Sequence, residues 1–225
     1  TVLNRPGGEP VAVVDLQALG LDNWESKGMN LHLGACITLQ SVSTIPELPP
    51  ALSDAIQAEA NHNLRQVATL AGSLVACDGR SSLAAALLAM DASVLIVRHR
   101  QKPERLSLGD LFPVRREKLS GALITQVVLP ANPRLAYLSV GRTPADRPLV
   151  CVAVSVWPSG RTRIVLGGWG AAPRLALDGS EADGWQMAVE NICSQSTDAW
   201  ASASYRQHTA VVLTHRCLEE LKVKY

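Results

Sequence analysis

Residues 69–73 read Thr-Leu-Ala-Gly-Ser, two short hydroxyls around a glycine. Glycine permits tight turns and close approach, so successive backbone amides at such a turn can form a nest for an anion such as a phosphate. Taken alone, the same residues also describe an ordinary turn. Thr38, ahead of Leu39, suits a helix cap as well as it suits a ligand contact. Cys77-Asp78 invites nucleophilic chemistry, but no histidine lies beside it in the sequence, and a small thiol next to a turn is more often inert. His32, His62, His99, His208 and His215 lack metal-ligand spacing, and His208 and His215, close to one helical face, come without an acidic partner. Gly167-Gly168 ends an apolar run as a dinucleotide loop does. No Gly-x-Gly-x-x-Gly pattern follows it, however, and Trp169 and Pro173 point to a loop.

The elements that must position these residues can be read from hydrophobic period and punctuation. Val11–Asp15 reads as a buried strand, and Asn30–Thr38 as a second, alternating at Leu31, Leu33 and Ala35 before Thr38 opens a helical turn. Pro46, Pro49 and Pro50 lead into an amphipathic helix over Ala51–Ala60. Ser81-Ser82 is a ready N-cap for the helix former Leu83–Met90, followed by a strand over Ala92–Arg98, a charged turn over His99–Arg105 and a strand over Ala122–Leu129. Pro130-Ala131-Asn132-Pro133 interrupts both helix and sheet pairing and marks a domain boundary. Beyond it, Leu135–Gly141 is a strand, and Leu149–Trp157 with Thr162–Leu166 form a hairpin through Pro158-Ser159-Gly160. Two helices close the chain, Glu181–Cys193 and Ala199–Lys222, the latter with Tyr205, Ala210, Leu213, Cys217, Leu218 and Leu221 near one face.

The reading is therefore α+β in two domains: a mixed α/β domain over 1–130, then over 134–225 an antiparallel sheet packed with C-terminal helices. With 225 residues, of which 47% are apolar, the chain can fill such a core. The balance of 21 basic and 20 acidic side chains argues against nucleic acid as a partner. No apolar run reaches the roughly 18 residues a membrane helix needs, and no signal peptide is visible, which points to no membrane association and a cytoplasmic protein. Cys36, Cys77, Cys151, Cys193 and Cys217 are widely spaced among apolar residues, fit reduced core side chains, and form no Cys-x-x-Cys for zinc or an iron–sulfur cluster.

Four stretches, in order, carry a family resemblance over about residues 5–222. Leu64–Asp91 resembles a segment reading Arg-Asn-x-Ala-Thr-x-Gly-Gly-Asn, a Pro-x-x-Asp turn and an Ala/Leu-rich helix ending Leu-Asp-Ala, matched by Arg65, Ala68, Thr69, Gly72, Leu83, Leu87, Leu88, Asp91 and Ala92. Leu33–Leu39 resembles Ile-Gly-Ala-x-x-Thr-Leu, and Val165–Gly168 resembles an Ala-Leu-Gly-Gly strand end. Ser204-Tyr205-Arg206, Ala210–Leu213 and Arg216-Cys217-Leu218 follow a final-helix pattern of Ser-x-x-Tyr-Arg, Val-Leu and Arg-Ala-Leu, with Tyr directly after Ser204. Together they resemble the FAD-binding medium subunit of molybdenum hydroxylases, the medium chain of xanthine and carbon monoxide dehydrogenases.

The resemblance implies FAD as cofactor, no catalytic side chain and no metal ligand in this chain. It also implies a molybdopterin-binding large subunit and an iron–sulfur small subunit as partners, and is compatible with a homo-oligomer. The chain would be an electron-transfer flavoprotein of an oxidoreductase complex, or else a flavin-free relative acting as a structural or docking subunit. The implied cofactor residues are Thr38, Thr69, Leu70, Ala71, Gly72, Ser73 and Ser82. In the family an Ala-Gly-Gly-Thr loop completes the phosphate cradle. It would precede the segment at Asn4–Leu16, so the domain is expected to lack its N-terminal lobe. Ala71 stands where the family has glycine and would be strained by about 1 kcal/mol if that glycine has positive φ. Ser73, Ser82 and Ser139 stand for asparagine, aspartate and lysine. Losing the two charged contacts would remove roughly 1.5–3 kcal/mol each.

Overall fold

A computed structural model describes residues 13–223 of the protein. The first half runs β1 (Trp24–Lys27), β2 (Asn30–Gly34), α1 (Leu39–Val42), α2 (Pro50–Glu59), α3 (His62–Arg65), α4 (Leu70–Ala76), α5 (Ser82–Ala89), β3 (Ser93–Arg98), β4 (Glu104–Ser107), α6 (Leu108–Lys118) and β5 (Ala122–Pro130). The second runs β6 (Arg134–Val140), β7 (Val150–Val156), β8 (Thr162–Gly167), β9 (Arg174–Gly179), α7 (Trp185–Cys193) and α8 (Ala203–Glu220). The strands form two antiparallel sheets, ordered β1-β2-β5-β3-β4 and β6-β7-β8-β9. The fold is α+β.

Helix α5 shows how the sequence forces this layering. Its residues, Ser-Leu-Ala-Ala-Ala-Leu-Leu-Ala, are buried on every side, as an all-round apolar helix must be. The Ser81 hydroxyl accepts from the Ala84 amide and starts the helix. It packs on α2 and against β7 and β8 of the second sheet, while α8 covers the other face of β7. That explains the apolar run in β7, interrupted by the buried Ser155: Cys151 and Ala153 join the core around α5, and Val150, Val152, Val154 and Val156 join the core under α7 and α8. A strand covered on both faces needs no polar alternation.

Two devices lock the halves together. Asp91 leaves α5 in the left-handed region at φ 58°, tolerable for aspartate. Its carboxylate accepts from Arg161 at 2.9 Å and Arg163 at 2.8 Å, both of which also pair with Asp178 on β9. Gly79 meets the end of β8: its amide donates to Gly170 O at 2.9 Å, and its carbonyl accepts from Gly168 at 2.6 Å. A Cβ on Gly79 would lie 1.6 Å from the Trp169 carbonyl oxygen, so only glycine fits. Gly167-Gly168 thus forms a backbone seam between the halves.

Several sequence expectations change. Residues 13–15 are irregular rather than strand, and the rest of the expected strand, Val11 and Ala12, lies outside the described residues. The strand expected to run to Thr38 stops at Gly34, because Ala35 and Cys36 turn their amides to Thr125 O and Leu21 O. Glu104, placed in a turn by its charge, begins β4. α6 was hidden by Pro113 and a polar composition; it starts on the Ser107 cap and kinks at Val114. β9 is half exposed and carries little period. Tyr205, expected on the buried face of α8, is 43% exposed, and Arg206 is fully buried instead.

Candidate functional site

An antiparallel bridge between Thr38 and Thr69 brings the first turns of α1 and α4 side by side. The bonds flanking it run from Leu39 N–H to Ala68 O and from Leu70 N–H to Ile37 O, each 2.9 Å. Thr38 and Thr69 are therefore the non-hydrogen-bonded pair, with their own amides turned outward. Both cap: Thr38 Oγ1 accepts from the Ser41 amide at 3.1 Å and Thr69 Oγ1 from the Gly72 amide at 3.2 Å. A hydroxyl that accepts still has a proton to donate.

The five residues read as a turn are thus the cap and first turn of a helix. The amides of Leu70, Ala71 and Ser73 bond to Ile37 O, Ala35 O and Thr69 O, which ties the segment to its neighbours and removes three donors from any phosphate nest. Leu70 and Ala71 point into the core, at 0% and 9% exposure. Ala71 lies within α4 and is not a positive-φ residue, so the expected strain is absent. Its methyl group faces inward and does not obstruct the outer surface. Gly72 is exposed, and a Cβ there would stand 2.7 Å from Thr69 Oγ1, so glycine is needed to let the cap close.

Thr69, Gly72 and Ser73 line an open groove of about 430 Å³, together with Glu59, Cys77 and Arg147. The groove offers the hydroxyl protons of Thr69 and Ser73 and one guanidinium as donors suited to phosphate oxygens, while Gly72, whose amide is bonded to Thr69 Oγ1, contributes only room for close approach. Glu59 is engaged elsewhere, its carboxylate accepting from Ser81 Oγ at 2.8 Å and the Leu83 amide at 3.0 Å. The Cys77 thiol is pushed up to about 11 by burial, although the Arg115 guanidinium beside it pulls the other way. It is a protonated wall residue at neutral pH. Ser82 is fully buried under the Tyr137 hydroxyl, which donates to it at 2.6 Å, so it does not reach the groove surface. Ser139 is exposed on β6.

The structure therefore brings Thr69, Gly72 and Ser73 together, sets Thr38 across the bridge from them, and withdraws Leu70, Ala71 and Ser82. Sequence reasoning missed Arg147 and Arg80. Arg147 donates to both Asp78 oxygens, at 2.9 and 2.6 Å, across 69 positions. Arg80 donates to Pro148 O at 3.0 Å and to Arg147 O. Its guanidinium lies 4.7 Å from the exposed Trp200 ring, and that of Arg142 lies 5.1 Å away. No local period or motif signals such long-range loop contacts.

A family profile described as the FAD binding domain in molybdopterin dehydrogenase matches residues 2–132, more than half of the chain. The chain is 26% identical over 208 residues to the uncharacterized protein YgfM of Escherichia coli (strain K12), covering 89% of this chain and 76% of that one. Among solved structures, quinoline 2-oxidoreductase from Pseudomonas putida 86 aligns with a TM-score of 0.71 at 19% identity, over 89% of this chain and 77% of that chain. Reconstituted CO dehydrogenase from Oligotropha carboxidovorans aligns with a TM-score of 0.73 at 20% identity, over 88% and 77%. At those identities the structural likeness speaks for the fold. Among the described residues no helix is long and apolar enough to cross a membrane.

Proposed function

Because the chain belongs to the family of FAD-binding domains in molybdopterin dehydrogenases, with FAD as the cofactor, we propose that it is the electron-transfer flavoprotein component of a molybdenum hydroxylase complex. The observation that carries the site assignment is the groove at Thr69, Gly72 and Ser73, where bare backbone and two hydroxyls face outward together. Bound there, the flavin would supply the redox chemistry, accepting electrons and passing them on. The chain's own residues would hold it. Thr69 and Ser73 donate hydroxyl protons to the diphosphate, Gly72 allows close backbone approach, and Thr38 secures the neighbouring turn. No side chain need act as acid or base.

The proposal extends to assembly with a molybdopterin-binding subunit and an iron–sulfur subunit in the cytoplasm. Leu64, Val67 and Val75, exposed by 50%, 72% and 51% on the segments that form the groove, offer apolar surface for such contacts. A flavin-free docking subunit is the second reading. It is favoured by the amides of Leu70, Ala71 and Ser73 being committed inside the protein and by the burial of Ser82. The visible absorption spectrum of the purified protein, taken before and after incubation with excess FAD and desalting, separates the two. A retained flavin band with a raised melting temperature supports the flavoprotein; no band and no shift supports the docking subunit.

A further inference from the structure

We infer that Arg147 is the groove's anion-pairing residue, able to pass from its exposed pair with Asp78 to a phosphate of the cofactor. The inference rests on the FAD reading of this groove and assigns it a residue that neither the motif nor its spacing indicates. Arg147 is the cation among the groove's lining side chains. It also lines the adjoining cavity of about 280 Å³ with Arg80, Arg142, Asp146 and Trp200, so it stands at the junction of the two spaces.

Its present partner is a weak competitor. The Arg147–Asp78 pair is 45% exposed on both sides, and exposed pairs contribute little because water screens them. A doubly charged diphosphate offers more acceptor oxygens and more charge than one carboxylate, and arginine meets phosphate oxygens with two parallel bonds. The backbone around Arg147 is meanwhile fixed: Arg80 binds the carbonyls of Arg147 and Pro148. The side chain can change partner without moving the loop. Arg80 and Arg142 add positive potential next to it, partly offset by Asp78 and Asp146.

The test measures FAD affinity by flavin fluorescence for the wild-type chain, Arg147→Ala, Arg147→Lys and Asp78→Asn, with thermal melts to establish that each is folded. Loss of a charge-assisted contact should weaken FAD binding roughly ten- to a hundredfold in Arg147→Ala, with Arg147→Lys in between and a shallower dependence on salt. Asp78→Asn keeps an acceptor for the Arg80 amide, now 2.7 Å from Asp78 Oδ1, but frees Arg147, and should tighten FAD binding a few-fold. A merely structural clasp predicts the opposite sign, because both variants break it. Unchanged affinity in Arg147→Ala, or unchanged or weaker affinity in Asp78→Asn, overturns the role of Arg147 and leaves the FAD reading standing. No FAD binding by the wild-type chain sinks the FAD reading, and this inference with it.

Discussion

The seam between the halves and the groove at Thr69–Ser73 treat arginine in opposite ways. Behind the seam, within the second half, Arg206 is fully buried, donates to the carbonyls of Leu149, Gly168 and Ser196, and grips Asp198 through both carboxylate oxygens at 2.8 and 2.9 Å. Arg163 is 5% exposed and bridges Asp91, Asp178 and the Leu88 carbonyl. In the groove, Arg147 is half in water and makes one exposed ion pair. A buried guanidinium that loses its partners strands several polar groups, whereas an exposed one exchanges them for water. The seam is thus bound to its sequence by stability, and the groove is free to change.

Three measurements can break or sharpen the contrast. The largest effect belongs to Arg206→Ala, which should lower unfolding stability by about 3–5 kcal/mol in urea titrations or prevent folding. A cost within about 1 kcal/mol of that for Arg147→Ala, a change expected to cost roughly 0–1 kcal/mol, would erase the distinction. Next comes the paired replacement of two glycines. Gly79→Ala drives a methyl group into the Trp169 carbonyl and should cost about 1–3 kcal/mol or more. Gly72→Ala displaces only the capping hydroxyl of Thr69, a loss of about 0.5–2 kcal/mol; the reverse order of melting temperatures would place the tighter constraint in the groove. The smallest effect is in acid. The Arg161 guanidinium bonded to Asp178 holds that carboxyl below its ordinary 3.8, against the opposing effect of burial. Its folded value being lower than its unfolded one, the stabilisation is present above about pH 4 and fades as pH falls through the folded value. The gap in melting temperature between wild type and Asp178→Asn should therefore narrow from pH 5 to pH 3; a constant gap would show that the charge of Asp178 contributes nothing.

Much of the fold was legible because several elements follow one physical rule each. The apolar run of α5 behind Ser81, the alternation of β2 at Leu31 and Leu33 and the hairpin through Pro158-Ser159-Gly160 all lie where burial period and turn chemistry put them, within a few residues. The elements that escaped obey no such rule. Pro113 and a charged composition disguise α6, and β9 holds its place through pairing with β8 rather than through its own pattern. The site was legible as a segment but not as a surface. Reading residues 69–73 singled out a segment of which Thr69, Gly72 and Ser73 line the groove, yet could not tell that Leu70 and Ala71 face the core, because the helical register of α4 decides which side each residue takes.

From the sequence alone came the class of fold, the family it resembles and the segment where a phosphate would be sought, since these depend on residue types and short spacings. Tertiary structure decided the rest: that Ala71 is unstrained, that Ser82 lies sealed beneath Tyr137, that Arg206 is inside and Tyr205 outside, and that Arg147 meets Asp78 from 69 positions away. The physical reason is range. Caps, turns and periodicity are settled by neighbours three or four residues apart, whereas burial and ion pairing are settled by whichever segments the packed core brings together.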